Sequence, residues 1–516
     1  MKLPGRWLLL AFAVLTAINA GMLVTSRIYP FVDLPNHLAT ATIYRHIGGA
    51  DNRFAEFFTI GPLFPNANVA YLLFAGWDLF PSVEFANRTF YILYGLLVPL
   101  GLWLLIREVD GDPWYALLGF LLLYNLNCVF GFVGFTASAP VVLFVMWTAL
   151  RGFRGGWGWT AASGALLVAL FCCHALAFLF GLGTYLLGCL RGRRNWPRAI
   201  AAAPAFAVFV AWWIRRPVEE STFAYMAGYY TKHFLENLPR RATFPLMDFY
   251  QILPGALGPL LAMVVAAAIL VPLIAHRKRL FAGAAAHPLA SMFLFALACC
   301  SLLPPEIPRE PVLNQRFSVF LYLAAIVLLS RLPSSAGARV AIIGGCLLFG
   351  GLRWNYFREF NRENAAFDPA FLPAKESRMA GMVQESTFWG WPLYVHFPNY
   401  HIVWNKGIAG TSAVDYRFGV VRRKAGFDRL PYHREWIGME GGYQGEYHGV
   451  EYILVRGRPP ERWLGPWPTG PGFDESRRAG EWRLMRNRGL SHGTIEGVSS
   501  GNGRVAQLAE QLTLNQ

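Results

Sequence analysis

Between Tyr29 and Leu38 the chain reads Tyr-Pro-Phe-Val-Asp-Leu-Pro-Asn-His-Leu, which sets a carboxylate (Asp33), a carboxamide (Asn36) and an imidazole (His37) within one short run. Held at the exit of a long apolar segment, residues of these types can take a proton from a hydroxyl and steady the charge that results. The same run suits the start of a helix, with Asp33 in the capping position and Pro35 early in the first turn. Further along, Arg316 opens an apolar segment after a polar stretch holding Glu306, Arg309, Glu310, Asn314 and Gln315. A guanidinium there offers a fork of donors matched to phosphate oxygens; its other uses are to reach the membrane interface or to pair with Glu310. His174 stands alone in an apolar run, as a packed imidazole or as a site residue, while Asn125 and Asn127 either line the same space or bridge helices. The stretch 215–253 sets Arg215, Arg216, Arg240 and Arg241 among Tyr225, Tyr229 and Tyr230, a mixture suited to sugar and phosphate contacts and equally to lipid headgroups. His396 and His401 lack the spacing and partners of a metal site, and no metal is assigned there.

The elements that must position these residues are apolar helices. Hydrophobic residues make up 55% of the 516-residue chain and charged residues 15%, against roughly 25% charged in soluble domains. The net charge of +15 resides in short breaks between apolar segments and in the C-terminal third, which membrane topology explains without nucleic acid. All seven cysteines lie in apolar segments and read as small packing residues. No P-loop, dinucleotide fingerprint or nucleophile elbow stands out, so ATP-driven transport has no support.

Apolar segments near 7–27, 85–106, 113–130, 135–150, 158–172, 175–190, 198–214, 254–275, 287–303, 316–331 and 340–357 give an α-helical polytopic membrane protein of about eleven spans. With Lys2 and Arg6 inside, the inner breaks hold Arg107, Arg151/Arg154, Arg191–Arg198, Arg277–Arg279 and Arg331/Arg339. Loop 28–84, a tight turn at 131–134, His174, 215–253, 304–315 and everything past 358 then share the outer side, although Arg215/Arg216 and Arg240/Arg241 depart from the charge rule. Loop 28–84 is expected to carry an interfacial helix over Pro35–Phe58 and a second short piece at 68–80. The expected organisation is a transmembrane domain over 1–357, a small extracytoplasmic α/β or mostly β domain over 358–500 with β-like runs at Tyr452–Val455 and Trp482–Met485, and a disordered tail over 501–516.

Asp33-Leu34-Pro35-Asn36-His37, soon after the first span, resembles the Asp-x-Pro-x-His pattern in the first outer loop of bacterial members of the GT-C superfamily of membrane glycosyltransferases. Asn314-Gln315-Arg316-Phe317 is similar to their late Arg-Phe motif. The specific likeness covers about ten residues, with the general architecture similar over 1–357. The resemblance implies a polyprenyl-phosphate sugar donor and a glycan, lipid or protein acceptor, worked on at the outer face of a bacterial inner membrane with the N-terminus cytoplasmic. It implies Asp33 as general base, His37 beside it, and Asn36, His174, Arg240, Arg241 and Arg316 as substrate-binding residues. The second acid common in the family has four contenders, Asp51, Glu56, Asp78 and Glu84, which leaves a divalent metal ion an open cofactor. The competing expectation is a non-catalytic membrane protein, a lipid-linked saccharide transporter or an envelope assembly scaffold. The clustering of ionisable residues at the outer surface, with no two similar halves, favours the enzyme.

Overall fold

The computed structural model describes residues 5–215, 225–235, 239, 241, 243, 246, 257–281, 288–307, 312–375, 377–409, 419–424, 450–457 and 473–487. Arg240, Arg309, Glu310 and the tail 501–516 lie outside the described residues. The chain divides into two compact units, Met1–Leu34 with Pro62–Asn361, and Pro35–Gly61 with Arg362–Gln516.

The first unit is helical. Six helices are long and apolar enough to cross a membrane: Arg6–Thr25, Val83–Glu108, Val133–Phe153, Arg193–Arg215, Leu257–Ala275 and Ala336–Glu363. Five apolar helices are shorter, at Pro113–Val129, Trp157–Cys173, Ala175–Leu190, Leu289–Leu302 and Asn314–Leu329. Leu, Val, Ala and Phe fill the middle of these segments, with the polar residues of Arg193–Arg215 and Ala336–Glu363 grouped toward their ends. Many apolar side chains consequently point away from the packed interior, including Trp7, Leu9 and Leu10 on the first helix and Val264 and Val271 on Leu257–Ala275, as lipid-facing helices require. Close approach is bought with small residues: a Cβ at Gly164 would meet the Ala201 carbonyl, and one at Gly101 would press on Leu143.

Polar residues gather at the two ends of these helices. At one end Glu108 accepts from Arg151 Nε (2.9 Å) and Arg154 Nη1 (2.9 Å), and Asp112 accepts from the Ser334 N–H and hydroxyl (2.8 and 2.6 Å). Arg198 donates to Thr160 Oγ1 (2.7 Å) at this same end. The basic breaks expected on one side of the bilayer therefore come together. At the opposite end the Val32 and Asp33 amides donate to Val129 and Phe130, Asn127 to the Arg316 carbonyl (3.0 Å) and Asn314 to the Cys300 carbonyl (3.0 Å).

The second unit holds the strands. β1 (Phe58–Ile60) pairs antiparallel with β4 (Val421–Arg423). A five-stranded mixed sheet runs β3-β2-β5-β7-β6, from β2 (Arg378–Val383), β3 (Ile408–Ala409), β5 (Tyr452–Arg456), β6 (Phe473–Ala479) and β7 (Trp482–Asn487). β2 lies parallel to both β3 and β5, and the short helix Tyr400–Asn405 lies in the chain between β2 and β3. One core is formed by Ala380, Met382, Val450, Ile453 and Val455. On the opposite face of the sheet an aromatic group gathers, with Phe397 stacked on Trp482 (5.3 Å) and Tyr400 on Trp404 (4.5 Å). The helix Leu34–His46 contributes Leu38, Ala39, Ala41 and Ile43 as buried residues. From Pro35 onward this stretch of the expected outer loop is a structural part of the unit that carries the C-terminal strands.

Candidate active site at one end of the helical unit

Segment 125–135 is the hub. Asn125 accepts from the Asn127 N–H (2.9 Å) and starts the turn Leu126–Val129. Gly131 then takes a positive φ of 77°, a conformation that costs glycine little. A Cβ at Gly131 would also lie 2.8 Å from the amide nitrogens of Asp33 and Leu34. This glycine thus lets two backbones meet: Val32 N–H donates to Val129 O (2.9 Å) and Asp33 N–H to Phe130 O (3.0 Å). Asp33 is held by its main chain, partly exposed, directly before the first turn of Leu34–His46.

The same segment collects the other residues of this end. Asn127 Nδ2 donates to the Arg316 carbonyl (3.0 Å). The buried Arg316 guanidinium lies 4.0 Å above the Phe132 ring, close enough for a cation–π contact. Phe132 itself stacks on Phe130 (5.2 Å). Phe135 packs edge-on against His174 (5.0 Å) and Phe317 (5.6 Å). His174 Nδ1 accepts the Leu176 N–H (3.2 Å), capping the helix Ala175–Leu190. That bond needs an unprotonated Nδ1 and leaves the proton on Nε2, as a donor. The structure thus brings Asp33, Arg316, His174 and Asn127 to one end of this unit through a single eleven-residue segment.

Arg241 belongs to the same unit. Its buried guanidinium lies 4.7 Å from both the Tyr229 and Phe234 rings and donates from Nη1 to the Ser301 carbonyl (3.1 Å). Among the described residues its Nε and Nη2 have no hydrogen-bond partner.

Asn36 and His37 fall in the second unit. Asn36 is buried, with Nδ2 on His396 Nδ1 (2.9 Å) and Oδ1 accepting from Asn399 Nδ2. Its amide holds the helix to that unit's own fold. His37 is partly exposed on the same helix. Two contenders for a second acid are paired within the second unit. Asp51 binds Lys406 and Lys375, and the Lys406 hydrogen bond holds its carboxyl well below the usual range. Glu56 is paired with Arg53 (2.7 Å). Among the described residues no three His, Cys, Asp or Glu side chains converge on a point that would hold a metal ion.

Phe130, Phe132 and Phe135 carry much of this end and were not singled out from the sequence. The signal available was Phe130-Gly131-Phe132-Val133-Gly134-Phe135, aromatics alternating with glycines where a plain turn was expected. Compared with known proteins, the chain matches no family model and no curated protein.

Proposed function

We propose that this protein is a GT-C-type membrane glycosyltransferase that moves a sugar from a polyprenyl-phosphate donor to an extracytoplasmic acceptor, with Asp33 as general base. The observation that carries the reading is the shared placement of Asp33, Arg316 and His174 at one end of the helical unit, gathered by segment 125–135. In this reading all eleven apolar helices cross the bilayer, and the end holding Asp33 faces outward. The lipid tail lies among the apolar helices and the donor phosphate reaches the Arg316 guanidinium, with Arg241 as a second contact.

The acceptor hydroxyl attacks the anomeric carbon while Asp33 takes its proton. The new C–O bond forms as the bond to the phosphate oxygen breaks, and the electron pair leaves on the polyprenyl phosphate. Positive charge from Arg316 and an N–H from His174 Nε2 stabilise that leaving oxygen. Asn36 acts through structure, because its amide is bound within the second unit.

Envelope glycans and lipid-linked sugars compared by mass spectrometry in a deletion strain and its complemented parent test this reading. Transfer predicts one sugar lost from an envelope product with its lipid-linked donor accumulating at the outer face. Accumulation at the inner face alone supports a transporter, and an unchanged profile of both pools removes the enzyme.

A further inference from the structure

The second unit contains a cleft of about 430 Å³ walled by Pro369, Pro373, Lys375, Trp404, Lys406 and Arg477. That volume falls within the range typical of small-molecule sites, roughly 300–1,000 Å³. Its walls are of two kinds. Proline rings and the Trp404 indole, whose plane is set by stacking on Tyr400 (4.5 Å), supply apolar surface. Three cations supply charge.

The cations are arranged rather than scattered. β6 carries a bulge between Glu475 and Arg477, a device that re-aims the side chain beside it. Arg477 Nη1 donates to the Ala370, Phe371 and Leu372 carbonyls, fixing the guanidinium at the cleft. Carbonyl oxygens orient that group without cancelling its charge, and no carboxylate pairs with it among the described residues. Lys375 and Lys406, also in the lining, share one carboxylate, Asp51. Three positive groups against one negative leave a net charge of +2 around a cleft with an aromatic wall. Asn405, tied by Nδ2 to the Pro369 and Pro373 carbonyls (3.1 and 2.8 Å), belongs to the same lining.

We infer that this cleft binds an acidic saccharide, a sugar ring packed on the Trp404 and proline wall with its carboxylate on Arg477 and the lysines. Arg offers paired donors for a carboxylate, and apolar ring faces suit the C–H face of a sugar. The inference rests on the proposed glycosyl transfer only for its biological sense, as a site that holds acceptor or product glycan. The binding itself is independent of Asp33.

The test uses the full-length protein in detergent, titrated with trigalacturonate, its methyl ester and inorganic phosphate. Saturable trigalacturonate binding that weakens with salt, at least tenfold weaker binding in Arg477→Gln and Lys375→Gln, and little binding of the ester are expected. Asp33→Asn should bind as the parent does, which separates this inference from the transfer reading. Lys375 is about half exposed, so its variant keeps the fold. Equal binding of acid and ester, phosphate matching the trisaccharide, or variants that bind like the parent each overturn the inference.

Discussion

Two regions, the Asp33 end of the helical unit and the surroundings of Asn36 and Glu363 in the strand-bearing unit, hold their polar groups by different means. At the Asp33 end they lean on backbone carbonyls and aromatic faces, while side-chain pairs such as Glu108 with Arg151 and Arg154 lie at the other end. Arg353 donates to the Phe120 and Leu121 carbonyls (2.8 Å each), Asn314 to Cys300, Asn127 to Arg316, and Arg316 lies over Phe132. Around Asn36 and Glu363 side chains satisfy one another: buried Asn36 binds His396 and Asn399, and buried Tyr394 and Arg456 both donate to Glu363 (2.7 and 2.6 Å). The cause lies in composition: apolar helices offer few polar side chains, but every helix end exposes carbonyls its own turns do not use. Geometry at the Asp33 end is therefore set by the main chain and by the glycine that lets it approach itself. Around Asn36 and Glu363 it is set by side-chain pairs, which respond to single substitutions.

The largest expected difference between the two units is in their response to pH. Buried His401 donates from Nε2 to the Ser377 carbonyl (2.9 Å), and burial pulls its pKa down from 6.5 to about 4 against that opposing bond. Its folded value lies below its unfolded one, so the unfolded chain takes up the proton first. The strand-bearing unit should be fully stable above about 6.5 and lose about 3 kcal/mol as pH falls toward 4. Asp51 adds a loss of the same sign at lower pH, small because its carboxylate is half exposed. Hydrogen exchange read peptide by peptide should show opening at 377–409 over this range with little change at 125–135. Parallel change in both would erase the contrast.

Gly131→Ala comes next. The added methyl must push the Asp33 and Leu34 amides away, so the Asp33 amide should lose exchange protection. Sugar transfer should fall about 100-fold, the scale of a small misplacement at a reacting group. Retained protection would break the claim that the main chain places Asp33. Asn36→Ala leaves His396 and Asn399 with lost partners and should cost the strand-bearing unit about 1–2 kcal/mol, measured by denaturant titration. The smallest effect is expected at the Arg53–Glu56 pair, where the carboxylate is half exposed and Glu56→Gln should cost about 0.3 kcal/mol. A loss above 1 kcal/mol there would show a surface pair working like a buried one.

What the sequence made legible follows from the range of the interactions. Hydropathy and the arginine breaks marked the apolar helices, because both are local signals. Tyr452–Val455 and Trp482–Met485 read as short β-like runs rich in β-branched and aromatic residues, and they pair with Leu454 opposite Leu484. The partnership of Pro35–Gly61 with residues past 361 was not legible. It rests on contacts such as Asn36 with His396, 360 positions apart, and on a three-residue strand, Phe58–Ile60, too short to show a pattern. At the candidate site, Asp33 and Arg316 stood out by residue type. Gly131 and Phe132 did not, because their importance lies in what they touch.

The most direct measurement compares Asp33→Asn, Asp33→Glu and parent strains at matched protein levels, with envelope glycans and lipid-linked sugars quantified together. Asparagine keeps the size and removes the base, so transfer should drop at least 100-fold with the lipid-linked donor accumulating, while glutamate retains part of the activity. Parental glycans in Asp33→Asn beside a defect in the deletion would contradict a catalytic Asp33 and assign the protein to transport or assembly.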